Sequence, residues 1–561
     1  MMGAPHAEHI GGVPSRQQEP YGTLSFRARI GVTGHRLLAN CDEVALEVAK
    51  RLTEIRKMYA STQFTTVAFS MLSALAEGAD RLVVKVALDA EPRFECELGA
   101  VLPLTVEDYL SDFESNASRR EFLDLLSDSA AVVELQQERL PERQERDAAY
   151  DRAGRYIVDH SDVLIAVWDG RESQGHGGTA EIVEYARQRG VPVLVVPASA
   201  NVSENVGSPA ISFPGESSRR RSTLSAFRRI DRYNRVSLRS TRAREKLGAE
   251  RTRLGRPLEG SSMHWRYRLV ADWALPHLIR ADRLAVRYQR LHRSLAWAIH
   301  MLAAFAVTDV AIQTLFSPRD PTPLIGEVFF VLLLLLAVAI GRCAHLHERW
   351  LGYRSLAEAF RSALFFALSG VDDQQRMVSA GILGEPEEAW FQRAFSQAWR
   401  SCPEVMLERE DATSLRNFLV EAWVDHQIAY HLHRAKRWKD LHSLCTWAMS
   451  AFAVATITVA ALHIARVGHR LSSEKVLELA ALTLPAFGGA VAGLREYGQL
   501  RLHEERSRRS ATRLQALKDR LAVSSTLESV RRLAADTQRV MVDETLDWYG
   551  VVEFQDVDIV I

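Results

Sequence analysis

Two pairs of apolar runs, each run long enough to cross a lipid bilayer, limit what this chain can fold into more than any other feature. Residues 295–316 and 324–341 are joined by the short turn SPRDPTP, and residues 444–467 and 476–494 by a turn around 468–475. A bilayer core of about 30 Å is spanned by roughly 20 helical residues. The second run contains VFFVLLLLLAVAIG without a single charge. Soluble helices of such length keep a polar face, and these runs have none. The expected architecture is an all-α membrane module of four transmembrane helices in two hairpins, preceded by a soluble head. Composition averages this away, at 47% hydrophobic, 25% charged and zero net charge. No basic excess points to nucleic acid as a partner. The five cysteines show no C-x-x-C spacing, which argues against a disulfide framework or zinc site and suits a reducing compartment. Residues 1–25 are polar, lack an apolar signal core and are expected to be a disordered leader.

Between residues 26 and 198 strands alternate with helices. FRARIGV, FTTVAFS, FECELGAVLPL, 130–135, 162–168 and 191–196 have strand character, whereas 42–58, 82–90 and the stretch ending at Arg189 have helical character. DVLIAVW is apolar through its centre, as a strand covered on both faces must be. The alternation predicts an α/β, Rossmann-like, doubly wound parallel sheet. Such sheets bind ligands beyond the carboxyl ends of their strands. Three loops fall there. The first carries Gly31, Thr33, Gly34, His35 and Arg36, the second Glu77, Gly78 and Asp80, and the third Asp169, Gly170, Gly177, Gly178, Thr179 and Glu181. Glycines admit a phosphate close to the backbone, helix N-termini attract anions, and His35 and Arg36 could add positive charge. The same loops could instead be ordinary tight turns between strand and helix.

GVTGHR, LAEGADR, AGRYIVDHSDVLIAVWDG and GGTAEIVEYARQRGVPV follow one another in the order found in the SLOG superfamily of Rossmann-like nucleotide-binding domains, and the head resembles that group from Arg27 to Pro197. The group includes phosphoribohydrolases and the sensor heads of TRPM channels. The resemblance implies a nucleotide or nucleotide-derived ligand; no other cofactor and no metal are expected. The group's hydrolases carry P-G-G-x-G-T-x-x-E. Here GHGGTAE lacks the proline and Glu181 follows Thr179 by two residues, which argues against a hydrolytic Glu181 and leaves the catalytic residues of any enzyme unassigned.

Residues 199–262 are expected to be a linker, rich at first in Ser, Asn, Gly and Pro and then in Arg. An internal repeat follows. AVRYQRLHRSLAWA (285–298) before the first hairpin matches AKRWKDLHSLCTWA (435–448) before the second at an offset of 150 residues, and LHE recurs after each hairpin at 346–348 and 502–504. The units run from 263 to 370 and from 434 to 547, separated by a cytosolic helical connector at 371–433. Arg and Lys flank the outer ends of both hairpins and are sparse in the first turn, which predicts the head, connector and C-terminus on the cytoplasmic side of the inner membrane. Within the membrane, Asp309 costs several kcal/mol in lipid and must face helices or water. Gly489 and Gly493 form a GxxxG expected to pack closely on another helix. His426, His431 and His433 lack the spacing of a metal site, and 548–561 looks strand-forming.

A SLOG head on hairpins flanked by long helices resembles the SLATT-type effectors of bacterial conflict systems, with two hairpins here instead of one. That resemblance implies a membrane effector. Its head would sense a nucleotide-derived second messenger made by a partner enzyme, and its hairpins would gate or assemble as a homo-oligomer in the lipid bilayer during antiphage defence. The alternatives are a membrane-tethered nucleotide N-glycosidase using Asp80 or Glu181, and an adaptor whose head binds protein.

Overall fold

The computed structural model describes residues 22–89, 94–140, 142–171, 178–198, 218–316, 322–370, 389–465 and 471–553. The chain divides into two units, one made of 1–239 and 372–402, the other of 240–371 and 403–561.

The first unit is built on six parallel strands, β1 (Phe26–Gly34), β2 (Val67–Ser73), β3 (Cys96–Leu102), β4 (Ala131–Glu134), β5 (Val163–Trp168) and β6 (Val193–Pro197). They lie in the order β4-β3-β2-β1-β5-β6. The chain moves outward from β1 to β4, then crosses back to place β5 on the other side of β1. The order reverses between β1 and β5, and that is where an open α/β sheet leaves a crevice. Helices α1 (Cys41–Met58), α2 (Ala79–Asp89), α3 (Val106–Leu110), α4 (Asn116–Ser127), α5 (Arg143–His160) and α6 (Thr179–Gln188) cover the sheet. Leu72, Val101, Ile157, Leu164, Ile182 and Val193 share one buried core. All of β5 up to Val167 is buried, as its unbroken apolar run requires.

Two corrections concern the head's extent. The stretch 199–262, expected as linker, forms helices where it is described, α7 (Ser218–Asn234) in the head unit and α8 (Thr241–Gly255) in the second unit. Asn234 on α7 grips the start of β1, accepting from Leu24 N at 2.8 Å and donating to Leu24 O at 2.7 Å. Helical Arg-rich sequence with a few anchoring polar residues looks like a solvated tether until its partners are known. The second correction is helix α12 (Trp390–Trp399), which belongs to the head unit although it lies between the two hairpins in sequence. Its Arg393, Gln397 and Arg400 stand at i, i+4 and i+7, on one helical face. Arg393 donates from Nη1 and Nη2 to the two carboxylate oxygens of Asp162, each at 3.0 Å. Gln397 accepts from Arg27 Nε at 2.8 Å, and Arg400 pairs with Glu97. All three anchors lie toward the amino-terminal ends of β1, β3 and β5, away from the crevice.

The second unit is helical. Its first repeat is α9 (His264–Phe316), α10 (Thr322–Cys343) and α11 (Leu346–Leu368). Its second is α14 (Asp425–Ile464), α15 (Leu471–Tyr497) and α16 (Leu500–Ala522), reached through α13 (Ala412–Phe418) and a π-helical turn at Leu419–Val424. Helix α17 (Leu527–Glu553) closes the chain. The expected strand at 548–561 is therefore helical as far as Glu553, and 554–561 lie outside the described residues. Four helices are long and apolar enough to cross a membrane. Only 6% and 0% of the apolar windows of the second hairpin are buried within the chain, so these surfaces need a non-aqueous medium and not a protein core. Helix α9 runs unbroken for 53 residues, about 80 Å at 1.5 Å per residue, and so extends well beyond a bilayer.

The structure also refines the repeat. His345 and Gln499 both adopt left-handed backbone, with φ of 44° and 38°, and each is followed by a buried leucine, Leu346 or Leu500. This break, 154 residues apart in the two units, is the true equivalence after each hairpin. The LHE triplets sit two residues out of step with it.

Candidate functional site

The crevice between β1 and β5 is bridged by the side chains that end those strands. Gly34 pairs with Val167 across the sheet, and the chain then turns outward at His35 and at Asp169. His35 Nε2 lies 3.1 Å from Asp169 Oδ1 and 3.2 Å from the Asp169 amide nitrogen. A protonated Nε2 donates to the carboxylate, whereas a bare one accepts from the amide, so the tautomer selects the bond. Burial pushes the Asp169 carboxyl up, but the Arg171 N–H and His35 outweigh it and hold it below the usual carboxylate range. Gly170 has φ of 80°, the left-handed region that glycine enters freely. Gly178 is the N-cap of α6 and, being glycine, offers no side chain of its own to cap it, while Thr179 and Glu181 open the first turn. Gly177 lies outside the described residues.

The glycines of the other two loops are required by the fold itself. A Cβ on Gly31 would stand 2.5 Å from Ser161 Oγ, one on Gly34 2.5 Å from Ala79 Cβ, and one on Gly78 2.0 Å from Arg36 O. These three positions are filled by protein, so they bring loops together and leave no cradle of their own. Thr33 remains in β1, paired with Ala166. Glu77 accepts from Ser118 Oγ. The turn before α2 is tightly held. Leu75 sits at φ of 56°, an outlier for a bulky residue, with its amide on Ser73 Oγ at 3.0 Å and its carbonyl on Arg81 Nε at 2.9 Å.

Asp80 is 6% exposed. Burial pushes its carboxyl up to about 7, against hydrogen bonds from the Ala76 backbone, Ser73 and the Ala74 backbone. It is enclosed by the turn before α2, held by Ser73 and the backbone of Ala74 and Ala76.

A further wall, absent from the sequence reading, stands beside Arg36. The Arg36 guanidinium lies over the Tyr150 ring at 4.9 Å. Tyr150 donates to Asp112, and Arg146 ties Asp112 at 2.6 Å to Asp108 at 2.8 Å. Tyr109 is fully buried beside them and its hydroxyl has no hydrogen-bond partner among the described residues. These residues come from α3, its following loop and α5. No periodicity or motif marks them, because they meet only when β3 and the α5 segment are brought alongside β1.

In the membrane module Asp309 points at α10, where a Cβ on Gly326 would stand 2.7 Å from its Oδ2. That oxygen is buried and unpartnered among the described residues. The GxxxG is divided in its use. A Cβ on Gly493 would meet His300 at 2.7 Å, whereas one on Gly489 would meet nothing within 4 Å.

No protein-family model matches the chain, and no curated protein sequence matches it.

Proposed function

We propose that this chain is a membrane effector whose head senses a nucleotide-derived signal in the β1/β5 crevice and thereby gates or assembles the transmembrane hairpins. The observation that carries the reading is the His35–Asp169 pair at the point where strand order reverses, 3.1 Å apart, with the N-terminus of α6, opened by Gly178, following the same strand. A ligand lying there meets helix amides suited to phosphate and a histidine whose proton can be shared with a carboxylate. The resemblance to SLOG heads and SLATT-type effectors agrees with this assignment. In that setting the protein lies in the bacterial inner membrane with head and C-terminus cytoplasmic, answers a nucleotide-synthesising partner enzyme and acts in antiphage defence.

A hydrolase needs a carboxylate presented to the bound ribose. Asp80 is enclosed beneath its loop, so the enzymatic reading has less support.

The test uses the full chain in liposomes loaded with a potassium-sensitive dye. Adenine nucleotides and cyclic dinucleotides are added as a panel, and binding is measured by titration calorimetry on the detergent-solubilised protein. At least one probe is expected to bind and release ions without being consumed. Gly178→Asp sets a carboxylate where phosphate would meet the α6 amides and should abolish both responses. Turnover of a probe across intact liposomes would instead establish a hydrolase.

A further inference from the structure

The two membrane repeats touch each other in an unequal way. Helix α9 of the first packs along α15 of the second, antiparallel. His292 Nε2 is 2.7 Å from Tyr497 Oη, the Phe305 and Phe487 rings meet edge-on at 5.6 Å, and Lys475 Nζ lies 5.7 Å over the Phe316 ring. Gly493 adds the close approach to His300 described above. If the repeats were related by a two-fold axis, α14 of the second would pack on α10 of the first in the same manner. Among the described residues α10 and α14 do not pack along one another. The contact is therefore heterologous, and a heterologous contact between equivalent units leaves one copy of each surface unused.

We propose that the unused surfaces meet between molecules, with α14 of one chain packing on α10 of a second copy as α9 packs on α15 within the chain. The inference rests on the membrane reading of the four helices. The operation that carries the first repeat onto the second, applied again, places the first repeat of a neighbour against the second repeat of this chain.

The equivalences name the contacts. An offset of 150 in the first helix of each unit carries His292, His300 and Phe305 onto His442, Ser450 and Ala455. The offset of 154 fixed by His345 and Gln499 carries Phe487, Gly493 and Tyr497 back onto Leu333, Ala339 and Cys343. His442 should then face Cys343 of the second copy, Ser450 its Ala339, and Ala455 its Leu333. Ser450, Ala339 and Cys343 are all exposed in the single chain. Most of the large side chains of the internal interface are replaced here by small ones, and small residues let membrane helices approach closely.

Cysteine cross-linking in native membranes tests the proposal. The full chain carries Ala339→Cys and Ser450→Cys together with Cys343→Ser, and is oxidised with copper phenanthroline. Each chain then bears both halves of the contact, so a ladder of dimers and larger species is expected. Co-expressed single variants should give dimers and nothing larger, and either single variant alone should give none. Cross-linking of one single variant to itself would mean a two-fold interface and would overturn the proposal, as would absence of any cross-link. Phe305→Cys with Phe487→Cys in one chain reports the internal contact from which the argument starts. Alkaline extraction of the same membranes reports insertion separately, so a failure of the membrane reading is distinguishable from a failure of the interface.

Discussion

Asp162 and Arg393, 231 residues apart in sequence, meet as a two-pronged ion pair with both nitrogen–oxygen distances at 3.0 Å. Asp162 is 1% exposed and also accepts from Arg29 N and Thr223 Oγ1, both at 2.9 Å. Every lone pair that burial takes from water is thus given a donor.

Removing Arg393 leaves that carboxylate buried without its counter-charge, and Arg393→Ala should destabilise the head by about 3–5 kcal/mol. Gln397→Ala, which deletes the bond accepted from the Arg27 guanidinium and the one donated to Ser25 Oγ, should cost about 1.5–3 kcal/mol. Urea unfolding of the detergent-solubilised chain, followed by tryptophan fluorescence, measures both.

Two buried carboxyls of the head should respond to pH in opposite senses. Burial raises the Asp162 carboxyl, but Arg393 and Arg29 more than offset it and leave the group depressed. Its stabilisation is complete above the unfolded value of about 3.9 and is lost as pH falls below it. Asp80 is raised to about 7, so between about pH 4 and pH 7 the folded state keeps a proton that the unfolded state releases. Its contribution is complete below about pH 4 and falls as pH rises towards 7. Asp80→Asn should flatten that part of the stability profile, as read from unfolding midpoints across the range.

The two GxxxG glycines should tolerate substitution unequally. Gly493→Leu must displace the His300 ring and should cost about 1–3 kcal/mol of packing between the hairpins. Gly489→Leu enters open space and should stay within about 0.5 kcal/mol. Thermal unfolding in detergent distinguishes them, and equal effects would contradict the close approach at Gly493.

Asp309→Asn removes a carboxyl from between α9 and α10 and leaves the head untouched. Nucleotide binding should be unchanged while ion release from liposomes is altered. Unchanged release together with weaker assembly on native gels would assign the residue to helix bridging alone.

The sheet was legible because parallel strands announce themselves as continuous apolar runs. DVLIAVW could hardly be anything but a central strand, and the loops after it follow from chain order. The membrane helices were legible for the same reason, since 18 or more apolar residues admit few structures in water. What stayed hidden depends on pairs distant in sequence. Arg393 is one arginine among many until Asp162 is found opposite it, and Tyr109, Asp112 and Tyr150 form a wall only after four strands have assembled. The glycines misled in a more instructive way. Gly31, Gly34 and Gly78 suggest room for a ligand, but protein atoms already occupy that room.

Placing α12 after the first hairpin has a consequence for biosynthesis. The ribosome makes β1 to β6 early, but the helix that neutralises Asp162 emerges only after α9, α10 and α11 have been made. At roughly 5–20 residues per second, the gap between Arg239 and Arg393 amounts to roughly 8–30 s of translation. Throughout that interval the sheet exists without its last helix, and the first hairpin is synthesised within it. A nascent head that reaches its native state only after the hairpin is made cannot acquire full stability in the cytosol ahead of insertion.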